Sequence, residues 1–257
     1  AKKGDDLRID WGYVYVGAPK NERSIQTITG RELKTDFPAE TIGTAAKNHL
    51  VLLGYDDLYA IQYFHNNLKA WWKLEPGSSI EKEMDAALNQ YAAIRKKCDS
   101  ADHRVYQDAL AAGGETYAKL CVAAYRQSVS AHKLVKSPEG EILFLSKENF
   151  SNGCINTVDI TYPSAPLYLM YNPDLLKGML NGIFYFCESG RYGKPYAAHD
   201  LGTYPLANGE VYGEGMPVEE SGNMIILTAA IVKKEGNAEY ATKHWKILTQ
   251  WANYLQQ

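Results

Sequence analysis

The sequence predicts a mainly α fold, part of a six-hairpin (α/α)6 toroid, preceded by a short β-rich segment. Three observations predict it. The apolar period changes from two to 3.6 residues at Ser78. Beyond that point, five or six helical stretches follow one another as antiparallel pairs joined by loops of alternating length. One of those loops, His199–Asn223, is long, polar and without any apolar period, and it carries five Gly and two Pro. Long polar loops between buried helices are uncommon unless they carry function. The domain division that follows is 1–77 for the β-rich part and 78–257 for the helical hairpins.

Bulk composition narrows the function classes. The chain has 257 residues, enough for one large or two modest domains. Net charge is −3, with Lys and Arg scattered, so the basic patch that a nucleic acid would need is missing. No run of 18 apolar residues exists to span a membrane. The 19 Tyr and 5 Trp offer flat apolar faces with polar edges, suited to a glycan or another small polar organic ligand as well as to the core. Cys98, Cys121, Cys154 and Cys187 are dispersed and form neither a disulfide framework nor a zinc motif; Cys121 and Cys187 read as small core residues. The six His lack ligand spacing, so neither a metal nor another cofactor is expected.

The elements follow in order. Leu7–Val16 alternates and is rich in aromatic and β-branched residues, hence a strand. Pro19, Gly30 and Pro38 signal turns, and Thr44–Leu53 and Leu58–Phe64 read as further strands with Gly54–Asp57 turning between them. Ser78 and Glu81 form a capping-box pattern that opens a helix ending near Lys97. A second helical stretch covers Asp102–Val135, weakened at Gly113–Gly114, with Leu120, Cys121, Ala124 and Val129 facing inward. Leu134–Leu145 reads as a β-hairpin turning at Ser137–Gly140. Residues 146–172 read as mostly irregular, because Asn, Gly and two prolines fall among them, with a short helix at Leu167–Tyr171. Asn172-Pro173-Asp174 starts a helix that runs to about Glu188. After the long loop, a helix spans about Glu219–Glu235 and is closed by Gly236. Asn237 caps the last one, on which Tyr240, His244, Ile247, Leu248, Trp251 and Leu255 share a face.

Three phrases then matter together. They are Ile9-Asp10-Trp11-Gly12-Tyr13, Asn156 to Pro166 (NTVDITYPSAP), and His199 to Pro205 (HDLGTYP) with Met216 to Met224 (MPVEESGNM). The set, with Ala124-Tyr125-Arg126-Gln127, resembles the glutaminase A family of secreted fungal and Bacteroides-type proteins. The resemblance covers essentially the whole chain. It implies that residues 1–77 end a sandwich-like β domain and that 78–257 form about half of a six-hairpin toroid, so that flanking parts of the same protein are missing from this chain. It also implies a secreted, periplasmic or cell-surface location and a hydrolase acting on a glutamine-type amide. The same fold is shared with many glycoside hydrolases, so the chemistry has to come from the residues.

Asp200, Glu219 and Glu220 are the acidic candidates, since two carboxyls in unlike environments can divide acid and base roles. Adjacent Glu219 and Glu220 at a helix start point about 100° apart, so one of them at most faces a site; the other reading is that both complement the helix dipole. Candidate binding residues are Tyr125, Arg126, Asn156, Asp159, Tyr162, His199 and Asn223. Ser130-Ala131-His132-Lys133 matches a loose S-x-x-K pattern and Cys154 lies in an irregular stretch, which makes them the nucleophile candidates. The expected function is a hydrolase acting on a polar small-molecule substrate, by amide hydrolysis if the family name holds. Two alternatives stay open: a six-hairpin glycoside hydrolase using the same carboxylates on a glycan, and a non-catalytic carbohydrate-binding module.

Overall fold

A computed structural model describes residues 12–39, 41, 43, 48–148 and 152–257. The first part of the Leu7–Val16 strand expectation and the start of Thr44–Leu53 lie outside these residues. The described chain divides into two units, one formed by residues 12–58 and 72–118, the other by 59–71 and 119–257.

In the unit of 12–58 and 72–118, β1 (Tyr13–Gly17) pairs antiparallel with β4 (Leu52–Asp56), and β2 (Ile25–Thr29) pairs with β3 (Glu32–Asp36) through a turn at Gly30. The turn expected at Gly54–Asp57 is not there, because β4 runs through Gly54 to Asp56. Gly54 serves packing instead: a Cβ at that position would lie 2.8 Å from the sulfur of Met84 on α1 (Ile80–Asn89). Helix α1 begins at Ser79, whose side chain accepts from the amide of Lys82. The helix expected to end near Lys97 breaks earlier, at Gln90, and resumes as α2 (Tyr91–Ser130). Nothing stops it at Lys97, and the Ser100 hydroxyl folds back onto the carbonyl of Lys96. Gly114, at φ 80° and ψ −177°, interrupts α2 at the pair expected to weaken it.

In the other unit, α2 ends at Ser130, short of the expected Val135, because the hairpin β7 (His132–Lys136) and β8 (Ile142–Ser146) begins there. The inward face of α2 here is Cys121, Val122, Tyr125 and Ser128, whereas Leu120, Ala124 and Val129 are exposed. An Ala-rich helix has little amphipathic contrast, so its phase is not readable from the sequence. The tyrosines of the next helix decide it, with Ser128 bonded to the Tyr168 hydroxyl at 2.8 Å.

The stretch expected to be irregular contains α3 (Val158–Tyr171). Pro163 and Pro166 lie inside it, on its exposed side, where unmade helical bonds face water. Val158, Thr161, Ala165 and Tyr168 form the buried stripe that holds the helix together despite them. Helix α4 (Pro173–Glu188) starts as its Asn-Pro-Asp signal requires, with the Asn172 side chain accepting from Leu175. It is buried along nearly its whole length, and Leu176, Leu180, Ile183 and Phe184 form the centre of the core with Leu143, Leu145 and Ile155. Each such side chain contributes about 1.5–3 kcal/mol over exposure. Helix α5 (Pro217–Glu235) packs on α3 and on α7 (Trp245–Leu255). The last expected helix is divided into α6 (Glu239–Lys243) and α7, broken at His244. The His244 ring stacks on Phe184 at 3.8 Å and its Nδ1 meets the Glu188 carboxylate at 3.0 Å.

Strand β5 (Ile61–Tyr63) pairs antiparallel with β6 (Asn66–Leu68) and parallel with β9 (Leu206–Ala207). The loop before α5 is thereby tied to the sheet. Gly202 makes that loop possible: at φ 135°, a Cβ would stand 2.2 Å from the Leu206 carbonyl oxygen. Gly202→Ala is expected to cost about 3 kcal/mol or more of stability, read as a loss of denaturation midpoint in urea; an unchanged midpoint would show that the backbone there can relax.

Candidate functional site

The residues of interest come from three places in the second unit: the start of α3, the loop from Ala197 to Met216, and the start of α5. Backbone bonds sew the first two together. Ile155 donates to Gly202, Leu201 donates to Ile155, and Val158 donates to His199, at 2.8, 3.0 and 2.9 Å. Helix α5 starts from a residue with positive φ, Met216 at 39°, and Asn156, next to the Thr157 cap of α3, stands at 58°. Asn tolerates that conformation; Met does not, and Met216 stores strain where α5 presents its first turn.

His199 is buried, and its ring is fixed on both sides. Its Nδ1 meets Asp200 Oδ2 at 3.0 Å, and its face stacks on Tyr212 at 4.2 Å. Asp200 is itself locked. Its Oδ1 accepts from the amides of Gly202 and Val211, and its Oδ2 accepts from the amide of Tyr212 in addition to His199. A carboxylate holding four donors is fixed in place and orients the imidazole so that Nε2 faces outward. Glu210 steadies the same residue from the other side, accepting from the His199 amide at 2.9 Å, from Tyr192 and from Lys194.

His199 Nε2 lies 4.0 Å from Asp159 Oδ1 and 3.9 Å from Glu220 Oε1. Glu220 is fully buried. Neither of its oxygens has a hydrogen-bond partner among the described residues, nor does Asp159 Oδ1. Buried polar atoms without partners are rare, and each costs about 1–3 kcal/mol. Burial pushes the Glu220 carboxyl up to about 9, with the charges of Asp159 and Glu219 adding to the rise. Asn223 and the Asp159 amide pull it part of the way back, although neither meets hydrogen-bond geometry. Burial lowers His199, but the hydrogen bond and charge of Asp200, with Asp159 and Glu148, outweigh it and hold the imidazole above its usual value.

Of the residues singled out from the sequence, Asp159, His199 and Glu220 are therefore brought together, with Asp200 behind the imidazole and Asn223 one turn beyond Glu220 on α5. Glu219 is exposed, and it acts on Glu220 only through its charge. Tyr162 is 39% exposed on α3, and Asn156 is buried with both amide atoms unpartnered among the described residues. Tyr125 packs against Tyr171 at the far end of α3, about 18 Å along the helix from Asp159, with exposed Arg126 beside it. Ser130 is exposed and its hydroxyl donates to the Arg126 carbonyl. Burial pushes the Cys154 thiol up, with Asp200 and Glu148 adding, which keeps it protonated and poorly nucleophilic. Sequence reasoning passed over Glu210 and Tyr212; their place in the polar loop was the one available signal.

Asp159, His199 and Glu220 each offer an atom within 4.8 Å of the others, as do Cys154, His199 and Asp200. The second set is committed internally through Asp200. The first is open, and it defines a class of protein: a helical-hairpin domain whose loop-and-helix-start site joins a locked Asp–His pair to a buried, protonated carboxyl. Comparison with known proteins narrows the class. The model of the glutaminase A six helical-hairpin domain matches residues 114–257, more than half of the chain, and a domain of unknown function, DUF5127, matches residues 35–108. Glutaminase A of Aspergillus oryzae is 39% identical over 170 residues, covering 65% of this chain and 24% of that protein. A probable glutaminase of Arthroderma benhamiae is 37% identical over 133 residues, covering 51% of this chain and 15% of that protein. The chain belongs to the glutaminase A family, and it spans a quarter or less of the length of these relatives. Among the described residues, no helix is long and apolar enough to cross a membrane.

Proposed function

We propose that the cluster of Asp159, His199 and Glu220 is a hydrolytic centre that cleaves a side-chain amide of the glutamine type by direct attack of water. The observation that carries this reading is His199 Nε2, aimed between Asp159 at 4.0 Å and Glu220 at 3.9 Å while Asp200 holds Nδ1 at 3.0 Å. His199, oriented by Asp200, takes a proton from water as the hydroxyl adds to the amide carbon. Glu220, protonated at neutral pH, gives its proton to the amide nitrogen as the carbon–nitrogen bond breaks. Asp159 is the most accessible of the three, its side chain 30% exposed, and it receives an amide N–H of the substrate. The names of the relatives support glutamine as the substrate; the inert settings of Ser130 and Cys154 support water over a covalent nucleophile.

One observation favours a second reading. The carboxyls of Asp159 and Glu220 approach within 4.8 Å, close to the roughly 5–5.5 Å of a retaining glycosidase pair. Ammonia release from L-glutamine and cleavage of a panel of aryl glycosides, each measured with this chain and with Asp159→Asn, separate the two. The amide reading expects ammonia release, lowered about 100-fold or more by the substitution. Aryl-glycoside cleavage without ammonia release, or ammonia release indifferent to Asp159→Asn, overturns it.

A further inference from the structure

A groove of about 1140 Å³ crosses the unit of residues 12–58 and 72–118. It lies between the single helical turn Lys20–Glu22 after β1, His49 and Leu50 before β4, and the elbow at Gln90 where α1 gives way to α2. The elbow explains which side chains line it. Asp85 and Asn89 are four apart on α1, and Tyr91 and Arg95 are four apart on α2, so each pair shares one helix face. That face continues along α2 through Asp99 and His103, where a second hollow of about 550 Å³ shares Tyr91 and Arg95 with the first. Between Tyr91 and His103 the helix rises about 18 Å, which leaves room for an elongated ligand.

One wall is braced from within. A Glu22 oxygen meets His49 Nδ1 at 3.0 Å, the other accepts from the Leu50 amide at 3.4 Å, and the His49 ring stacks on Phe37 at 4.2 Å. The groups around it are open to solvent, with Asn21, Asn48 and Asn89 all exposed.

The side chains select the chemistry of a ligand. Lys20 and Arg95 are balanced by Glu22 and Asp85, so the groove favours neither a polyanion nor a polycation. Each of the three asparagine amides offers donors and an acceptor, and the two carboxylates accept. Hydroxyl groups match that set, because each one both donates and accepts. Tyr91 is 44% exposed beside them, a flat apolar face with a polar edge. A peptide would call for apolar anchor pockets or an open strand edge, whereas these walls are two helix sides, a helical turn and the chain leading into β4. The volume also exceeds the roughly 300–1,000 Å³ of a site for one small molecule.

We propose that this groove binds a neutral glycan of two or more sugar units. Tyr91 stacks on a sugar ring, while Asn21, Asn48, Asn89 and Asp85 bond its hydroxyls. The assignment is independent of the hydrolytic reading, which concerns residues of the other unit.

The test is affinity electrophoresis of the chain through native gels holding starch, laminarin, galactomannan, arabinoxylan or heparin. At least one of the four neutral polysaccharides is expected to retard the chain, and heparin is not. Tyr91→Ala and Asn89→Ala are each expected to weaken that retention about tenfold or more. Trp245→Ala, which removes a more exposed aromatic on α7, is expected to keep it. Circular dichroism confirms that the variants are folded. Retardation by none of the neutral polysaccharides, or by heparin alone, overturns the proposal, as does retention unchanged in both groove variants. Retention lost in Asp159→Asn but kept in Tyr91→Ala moves the glycan to the cluster of α3 and α5 and overturns it as well. Glycan binding without ammonia release leaves the groove standing and removes the amide reading; ammonia release without glycan binding removes the groove alone.

Discussion

Glu220→Gln is expected to unfold at a higher temperature than the wild type at pH 8 while losing ammonia release. The sign follows from where the proton sits. In the unfolded chain the carboxyl ionises above its ordinary value of 4.5; in the folded chain it keeps its proton up to about 9. Between those values the folded state binds more protons, so stability is full below pH 4.5 and falls as pH rises toward 9. At pH 7 the loss amounts to about 3 kcal/mol. Gln is uncharged at every pH and its amide can donate to Asp159, so the variant escapes that loss and its stability no longer falls across this window. The same change removes the proton that the leaving nitrogen needs, and ammonia release is expected to fall about 100-fold or more. Denaturation midpoints of both proteins from pH 5 to 9 measure the first effect. A variant no more stable than wild type at pH 8, with an unchanged pH slope, would contradict a buried neutral carboxyl at this position.

Asp200→Asn is expected to do the opposite to stability and the same to activity. The carboxylate accepts from three backbone amides and from the His199 ring. An amide side chain can offer one oxygen, and its NH2 group would face donors that now have nothing to bond. The expected cost is about 2–4 kcal/mol. The imidazole also loses the partner that fixes its tautomer, so Nε2 is no longer held as the acceptor, and kcat is expected to drop about 1000-fold or more. KM is expected to move little, because Asp200 is fully buried and meets no substrate. Steady-state kinetics on L-glutamine give the split: a rise in KM with kcat preserved would place Asp200 in binding and not behind the imidazole.

How much of this was legible in the residues alone depended on whether the signal was local. Asn172-Pro173-Asp174, Gly190 and Gly236 delimit helices through caps and left-handed stops, and the structure places those ends there. Pro163 and Pro166 point locally to irregular chain, yet a helix forms, because the stripe of Val158, Thr161, Ala165 and Tyr168 buries enough surface to override two missing bonds. The phase of α2 was unreadable for the reverse reason: alanine lies equally well on either face. At the site, the polar loop stood out because buried helices have no use for so many Gly and acidic residues unless the loop is ordered around something.

By itself, then, the sequence determined the class of fold, the family, the caps that delimit α4 and α5, and the loop in which His199 and Asp200 sit. Those properties depend on neighbours along the chain, through backbone preference, capping and apolar period. Only the tertiary structure decided which carboxyl faces the imidazole. Glu219 and Glu220 are alike in sequence, and the turn of α5 packed on α3 buries one and leaves the other in water. Asp200 and Asp159 are likewise both acids near a polar loop. Backbone amides claim every lone pair of the first that faces them, while the second keeps a buried oxygen near the imidazole without a partner among the described residues. An acid's role follows from its burial and its donors, and both are supplied by parts of the chain far away in sequence.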